Sequence, residues 1–291
     1  MTRQRWLLGL SAILGVGLFG WTVWTVGLAE LAAQLNRLAP TLPLILVLAG
    51  GRFFCQAAGW RLAMPADRRP TWREAFAAVV AGEAAGYFTW GPISREPMKA
   101  LLVEHRLPQR EGLAAAVVER TAYTIAATGL VMASIALVAW RFNHASWLVA
   151  AVAVIGVLAM IARRYWSRIA GNLPCRNDLA ELFAWASAQE LSNLVEAYLV
   201  LSWLGASPTW TAVIVLEGVG RLLNGVGQFI PGKLGVTEAA TAAVADMLQL
   251  GAAHGLSLAL ARRVRSLAWG AVGIAFVAAK AGSRTPRMAD C

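Results

Sequence analysis

Long apolar runs constrain this chain more than any other feature. Six of them, near 6–28, 42–62, 113–140, 146–162, 181–204 and 255–279, approach the ~20 residues that a helix needs to cross a bilayer core. Only 14% of the residues are charged, about half of what soluble domains carry. A soluble monomer is therefore excluded, and the sequence predicts an all-α polytopic membrane protein with about six full spans, forming one integral membrane domain over 1–291.

Two further apolar stretches, 72–104 and 210–250, are interrupted by Gly and Pro and carry charges. They resemble each other, because Pro-Thr-Trp opens both, with Trp72 and Trp210 138 residues apart. The later spans also match, as GLAAAVVER from Gly112 and GLSLALARR from Gly255. We interpret the matches as an internal duplication, with repeat one at 42–140, repeat two at 181–280 and 146–162 as a connecting span.

The basic residues predict the sidedness of the membrane segments. Arginines flank 72–104 at both ends, which places both ends in the cytoplasm and makes the stretch a re-entrant hairpin. Residues 163–176 are also rich in Arg, whereas 205–208 carry none, so the hairpin 210–250 enters from the outside. The two hairpins then oppose each other in an inverted repeat, as in transporters. This topology puts both termini on the cytoplasmic side of the cytoplasmic (inner) membrane; the alternative is that one or both interrupted stretches cross completely.

Charged residues at membrane depth predict a polar site, because such residues usually face a cavity or a partner. Basic side chains beside a helix N-terminus favour anions, and Arg can bind phosphate through its planar fork. We therefore expect a central basic cavity, although ordinary snorkelling arginines at the interface are the alternative. Its predicted headgroup-binding residues are Arg95, Lys99, Glu119, Arg120, Arg221, Lys233, Glu238, Arg262 and Arg265.

Other classes of function find little support. A net charge of +10 belongs to cytoplasmic loops in a membrane protein, so no nucleic acid partner is expected. Gly15, Gly17 and Gly20 spell GxGxxG inside a span, and 227–233 nearly spell a P-loop but lack its Ser or Thr, so no nucleotide cofactor is expected. The Cys and His residues are too dispersed for a metal site. With no nucleotide motif, movement is facilitated or ion-coupled, and Glu83 and Glu217 are the candidates for carrying protons.

The strings GPISREPMKALLVE, AAAVVERTAY and PGKLGVTEAA, in this order, resemble the transmembrane family named for lysylphosphatidylglycerol synthase. The resemblance covers roughly 40–280 and implies lipid handling, since the synthase's membrane domain is a flippase and stand-alone relatives occur in hopanoid-associated contexts. It implies a non-enzymatic translocase of an anionic or zwitterionic lipid: a phospholipid, a polyprenyl phosphate or a hopanoid-type lipid.

Two other functions remain open at this stage. One is a non-transporting scaffold for a lipid-synthesis complex. The other is an intramembrane transferase or hydrolase with Glu119 or Glu238 as general base. The assembly is also open between a homodimer and a lipid-synthesis complex.

Overall fold

The described part of the chain is helical throughout. A computed structural model describes residue 24 and residues 28–88, 92–142, 176–226 and 235–284, and within these ranges there is no strand. The helices, in chain order, are α1 (Leu28–Leu38), α2 (Leu42–Leu62), α3 (Trp72–Phe88), α4 (Pro92–Leu102), α5 (Gln109–Phe142), α6 (Arg176–Trp203), α7 (Trp210–Val226), α8 (Val236–Met247) and α9 (Ala252–Arg284). Short 3-10 turns occupy Ala39–Thr41 and Ala66–Arg68.

Several predicted elements coincide with these helices. The predicted span 42–62 is α2, and 113–140 and 181–204 lie inside α5 and α6. Asn36–Leu62 and Gln109–Trp140 are long and apolar enough to cross a membrane, whereas α6 and α9 are long enough but more charged. The predicted span 146–162 and nearly all of 6–28 lie outside the described residues. Helix α1 was not predicted.

The first interrupted stretch folds back on itself. Glu83 near the end of α3 pairs with Arg95 near the start of α4, with 3.0 Å between Oε2 and Nη2. Glu74 at the start of α3 accepts hydrogen bonds beyond α4, from His105 (3.1 Å) and Arg106 (2.8 Å). Because early residues of α3 meet residues after α4, and late ones meet early ones, the two helices run antiparallel.

The carboxyl group of Glu74 closes the open end of this helix pair. Burial raises its pKa, but hydrogen bonds from the Thr71 backbone, Arg106, His105 and the Thr71 hydroxyl outweigh burial and lower the pKa to about 2. Glu74 is thus held as a carboxylate.

The second interrupted stretch has a similar build. Helices α3 and α7 each begin at a Trp and have 17 residues, and α4 and α8 have 11 and 12. Val213 and Leu216 in the first half of α7 share a buried cluster with Val244 and Ala245 near the end of α8. The chain therefore returns in α8 toward the level at which α7 began.

The long helices pack reciprocally against these pairs. Gly273 of α9 touches Val80 of α3, where an added Cβ would lie 2.6 Å from the Val80 carbonyl oxygen. Gly218 of α7 fits in the same way against Leu130 and Ser134 of α5. Gly218 follows Val80 by the 138 residues that separate Trp72 from Trp210, and Gly273 follows Leu130 by the 143 that separate Gly112 from Gly255. The two contacts thus join equivalent positions.

Helices α2 and α6 form the centre of the bundle and run antiparallel. Gly59 near the end of α2 packs on Leu182 near the start of α6, while Ser192 in α6 donates to the Leu48 carbonyl near the start of α2 at 3.3 Å. The charged residues of the interrupted stretches converge on this pair.

Candidate functional site

Lys99 is the most deeply buried cation in the described part of the chain, with no exposed side-chain surface. Its Nζ lies 2.6 Å from Glu96 and 3.3 Å from Glu119, and 5.3 Å from the centre of the Trp60 ring. Gly82 makes room for it, since a Cβ there would lie 2.6 Å from Lys99 Cγ. A charge at this depth is tolerable because both neighbouring carboxylates compensate it. Lys99 thus ties α4 to α5.

Glu83 is the centre of the first charged group. Besides its ion pair with Arg95, it interacts electrostatically with Arg52, Arg120 and Lys99. Arg120 lies over the Tyr123 ring, with its guanidinium 4.9 Å from the ring centre. One carboxylate is therefore surrounded by four cations, contributed by α2, α4 and α5.

A second charged group lies between α6, α7 and α9. Arg262 binds Glu217 at 2.8 Å and Glu196 at 3.0 Å. Arg265 also pairs with Glu196. Arg221 pairs with Glu190 and lies 3.9 Å from Glu217. The pairing keeps these charges out of direct contact with the apolar surroundings and joins three helices.

Glu238 has a more local role. It is almost fully buried, accepts the backbone N–H of Gly235 at 2.9 Å and pairs with Arg263 at 2.6 Å. The first bond caps the N-terminus of α8, where a carboxylate also interacts favourably with the helix dipole. Both oxygens of Glu238 are occupied, so the geometry favours a structural role over a general base.

The two charged groups are connected. Arg221 of α7 donates to the Tyr123 hydroxyl of α5 at 3.1 Å. Arg52 of α2 interacts electrostatically with Glu83 of the first group and with Glu190 and Glu196 of the second. We call the two groups with Arg52 and the Glu238–Arg263 pair the buried ion network.

Sequence reasoning missed Arg52, although a signal was available. Arg52 is the one charged residue between Leu42 and Trp60 of a predicted span, and an ionisable residue at such a depth is a functional candidate by default. Among the described residues, Arg52 makes no ion pair within 4.0 Å, and its Nε is buried without a hydrogen-bond partner. The same criterion finds no ion pair for Arg120.

Most of the predicted site residues meet in the buried ion network, but with carboxylates as partners. Of the candidate proton carriers, Glu83 pairs with Arg95 and Glu217 with Arg262. Lys233 lies outside the described residues, and nothing places it relative to the others. The network contains these predicted headgroup residues: Arg95, Lys99, Glu119, Arg120, Arg221, Glu238, Arg262 and Arg265.

Equivalent positions in the two halves carry opposite charges. At the 138-residue offset, Arg52 aligns with Glu190 and Glu83 aligns with Arg221; at the 143-residue offset, Glu119 aligns with Arg262. Arg52 and Glu83 attract each other, as do Glu190 and Arg221. The same interaction is therefore made twice with its signs exchanged.

Comparison with known proteins gives one match. A family model described as the lysylphosphatidylglycerol synthase TM region matches residues 6–274. No curated protein and no solved structure matches significantly.

Proposed function

Because the chain belongs to the lysylphosphatidylglycerol synthase TM family, we propose that it moves a lipid with a charged headgroup across the cytoplasmic membrane. The headgroup passes the buried ion network while the acyl tails stay in hydrocarbon. The substrate is a phospholipid or a lipid-linked precursor, and the chain works without a catalytic group.

The observation that carries this proposal is the buried ion network itself. A charge near the bilayer centre costs about 2.5–3.5 kcal/mol on insertion scales, and intramembrane charges mark substrate or ion pathways. A helix bundle could be held together by apolar packing at less cost. The network also spans both halves of the chain, as expected for a pathway between them.

The fold supports a transporter mechanism in two ways. The antiparallel pairing of α3 and α4 suits a hairpin that enters and leaves on one side of the membrane, and α7 and α8 have the same build. The reciprocal contacts of Gly273 with α3 and Gly218 with α5 suit two halves related by a pseudo-two-fold axis. In our proposal the halves are inverted, both termini are cytoplasmic, and rocking of the hairpins exposes the network to alternate sides.

Proteoliposomes containing head-labelled phospholipids test the proposal. The fraction of label in the inner leaflet that becomes accessible to a membrane-impermeant quencher is measured over time, with and without the protein. We expect faster exposure with wild-type protein and slower exposure with Glu83→Gln, while Arg110→Gln, at an exposed position on α5, keeps the wild-type rate.

Two results would overturn the proposal. One is a wild-type rate equal to that of protein-free vesicles across phospholipids and polyprenyl phosphates, which would favour a scaffold. The other is a chemically altered lipid recovered from the vesicles, which would indicate an enzyme. A transport rate that follows an imposed pH gradient would assign proton coupling to Glu83 or Glu217, and Gln variants of each would separate them.

A further inference from the structure

We propose that Arg52 and Arg120 together bind the phosphate of a lipid whose headgroup carries one net negative charge. The inference rests on the proposed lipid translocation and names its substrate class. It selects a phosphodiester headgroup without an amine, and it rejects zwitterionic and cationic headgroups.

The first argument comes from the pairing of the cations. Six cations of the buried ion network make ion pairs with network carboxylates, whereas Arg52 and Arg120 make none within 4.0 Å among the described residues. Both interact with the same carboxylate, Glu83, so both guanidinium groups lie around one point. A guanidinium presents a planar fork of donors that matches a phosphate.

The second argument comes from the charge balance. The described network has eight cations and seven carboxylates, so it holds one positive charge in excess. One phosphodiester would neutralise it, whereas a zwitterionic headgroup would leave the excess and an aminoacylated one would add to it. The cations are Arg52, Arg95, Lys99, Arg120, Arg221, Arg262, Arg263 and Arg265, and the carboxylates are Glu83, Glu96, Glu119, Glu190, Glu196, Glu217 and Glu238.

The third argument concerns amines. Each of the seven network carboxylates already lies within 4.0 Å of a cation. A lipid ammonium group would therefore find no unpaired carboxylate in the described network. It would have to break an existing ion pair, which is costly at this burial.

The surface beside Arg52 suits the acyl tails. Val47 and Phe54, on the same helix, have 70% and 42% of their surface exposed, and Gly51 between them is exposed. These positions follow the i, i+4, i+7 spacing of one helix face. Arg52 adjoins this apolar stripe, so a lipid lying along it brings its phosphate to the guanidinium without the tails leaving hydrocarbon.

Competitive lipid binding to the purified full chain, measured by native mass spectrometry, tests the site. Equal amounts of phosphatidylglycerol, phosphatidylethanolamine and lysyl-phosphatidylglycerol are offered, with inorganic phosphate as a soluble competitor. We expect phosphatidylglycerol to bind best. Arg52→Gln and Arg120→Gln should each weaken its binding on the order of tenfold, the loss for one charge-assisted hydrogen bond.

Three further variants sharpen the test. Arg52→Lys keeps the charge and should retain part of the preference, and Arg110→Gln should keep all of it. Glu83→Gln removes a competing negative charge and should tighten phosphatidylglycerol binding, a gain that a misfolded variant would not show. This last variant decides the matter if either Arg→Gln variant fails to fold.

The possible outcomes separate this inference from the proposed function. Equal binding of the three lipids, an unchanged preference in both Arg→Gln variants, or displacement of lipid by inorganic phosphate would overturn the phosphate site. Rapid transport of phosphatidylethanolamine together with such a result would leave translocation standing. Selective binding of phosphatidylglycerol without transport would overturn translocation and keep the site.

Discussion

Lys99→Met provides the sharpest stability test of the buried ion network. The substitution keeps the length of the side chain but removes its charge. It leaves Glu119, 2% exposed, and Glu96, 18% exposed, without the cation that lies within 3.3 Å of each. Removing one partner of a buried ion pair costs about 3–5 kcal/mol, because an uncompensated charge stays buried.

The exposed ion pair between Arg68 and Glu111 is the matched control. Its atoms are 3.0 Å apart, a distance similar to those around Lys99, but both side chains are 42% exposed. Arg68→Met should therefore cost less than about 1 kcal/mol. The two variants differ in burial and share the type of contact.

Unfolding by sodium dodecyl sulfate in mixed micelles, followed by Trp fluorescence, measures the free energies of unfolding. We expect Lys99→Met to lose several times more stability than Arg68→Met. We also expect the triple variant Lys99→Met/Glu96→Gln/Glu119→Gln to regain most of the loss, since neutral amides need no cation. Equal losses for the two single variants, or no recovery in the triple variant, would refute the assignment of Lys99 as the buried counter-ion.

Three other predictions address helix packing, acid stability and charge order. Gly273→Ala should destabilise the fold by about 1–3 kcal/mol, because its Cβ would lie 2.6 Å from a carbonyl oxygen of α3; Gly129→Ala, with nothing within 4 Å, should be neutral or stabilising in the same unfolding assay. The lowered pKa of Glu74, about 2 against 4.5 in an unconstrained carboxyl, contributes stability that is complete above pH 4.5 and is lost as pH falls toward 2; thermal unfolding should show this loss in wild type and a smaller one in Glu74→Gln. Arg52→Glu should lower the melting temperature by adding a carboxylate near Glu83, and the exchange Arg52→Glu/Glu83→Arg should restore part of it; a double variant as unstable as the single one would contradict the electrostatic account.

Local sequence patterns predicted the elements well. The apolar run of α2 and the Pro-Thr-Trp starts of α3 and α7 agree with the helix bounds, because apolar length and helix-start residues act over a few neighbouring positions. The short α1 was not predicted, since its apolar residues continued the run assigned to the first span.

Charge pairing was less accessible to sequence reasoning. Arg262 was predicted to complete a basic ring, whereas its partners are Glu196 and Glu217, 66 and 45 residues away in sequence. Only the packing of α6, α7 and α9 brings these residues together. The i, i+4 pair Glu217–Arg221 was visible in the sequence, but at 3.9 Å it is the longer contact, and Arg221 pairs instead with Glu190 on another helix.

The exchanged signs at Arg52 and Glu190 have an evolutionary consequence. Arg52 interacts with Glu190, the residue at its own equivalent position in the other half. Two identical copies of the first half, assembled in the same way, would bring Arg52 against Arg52. A homodimeric ancestor could not have used the present residues, so after fusion each half became dependent on the other and neither can now be replaced by a second copy of its twin.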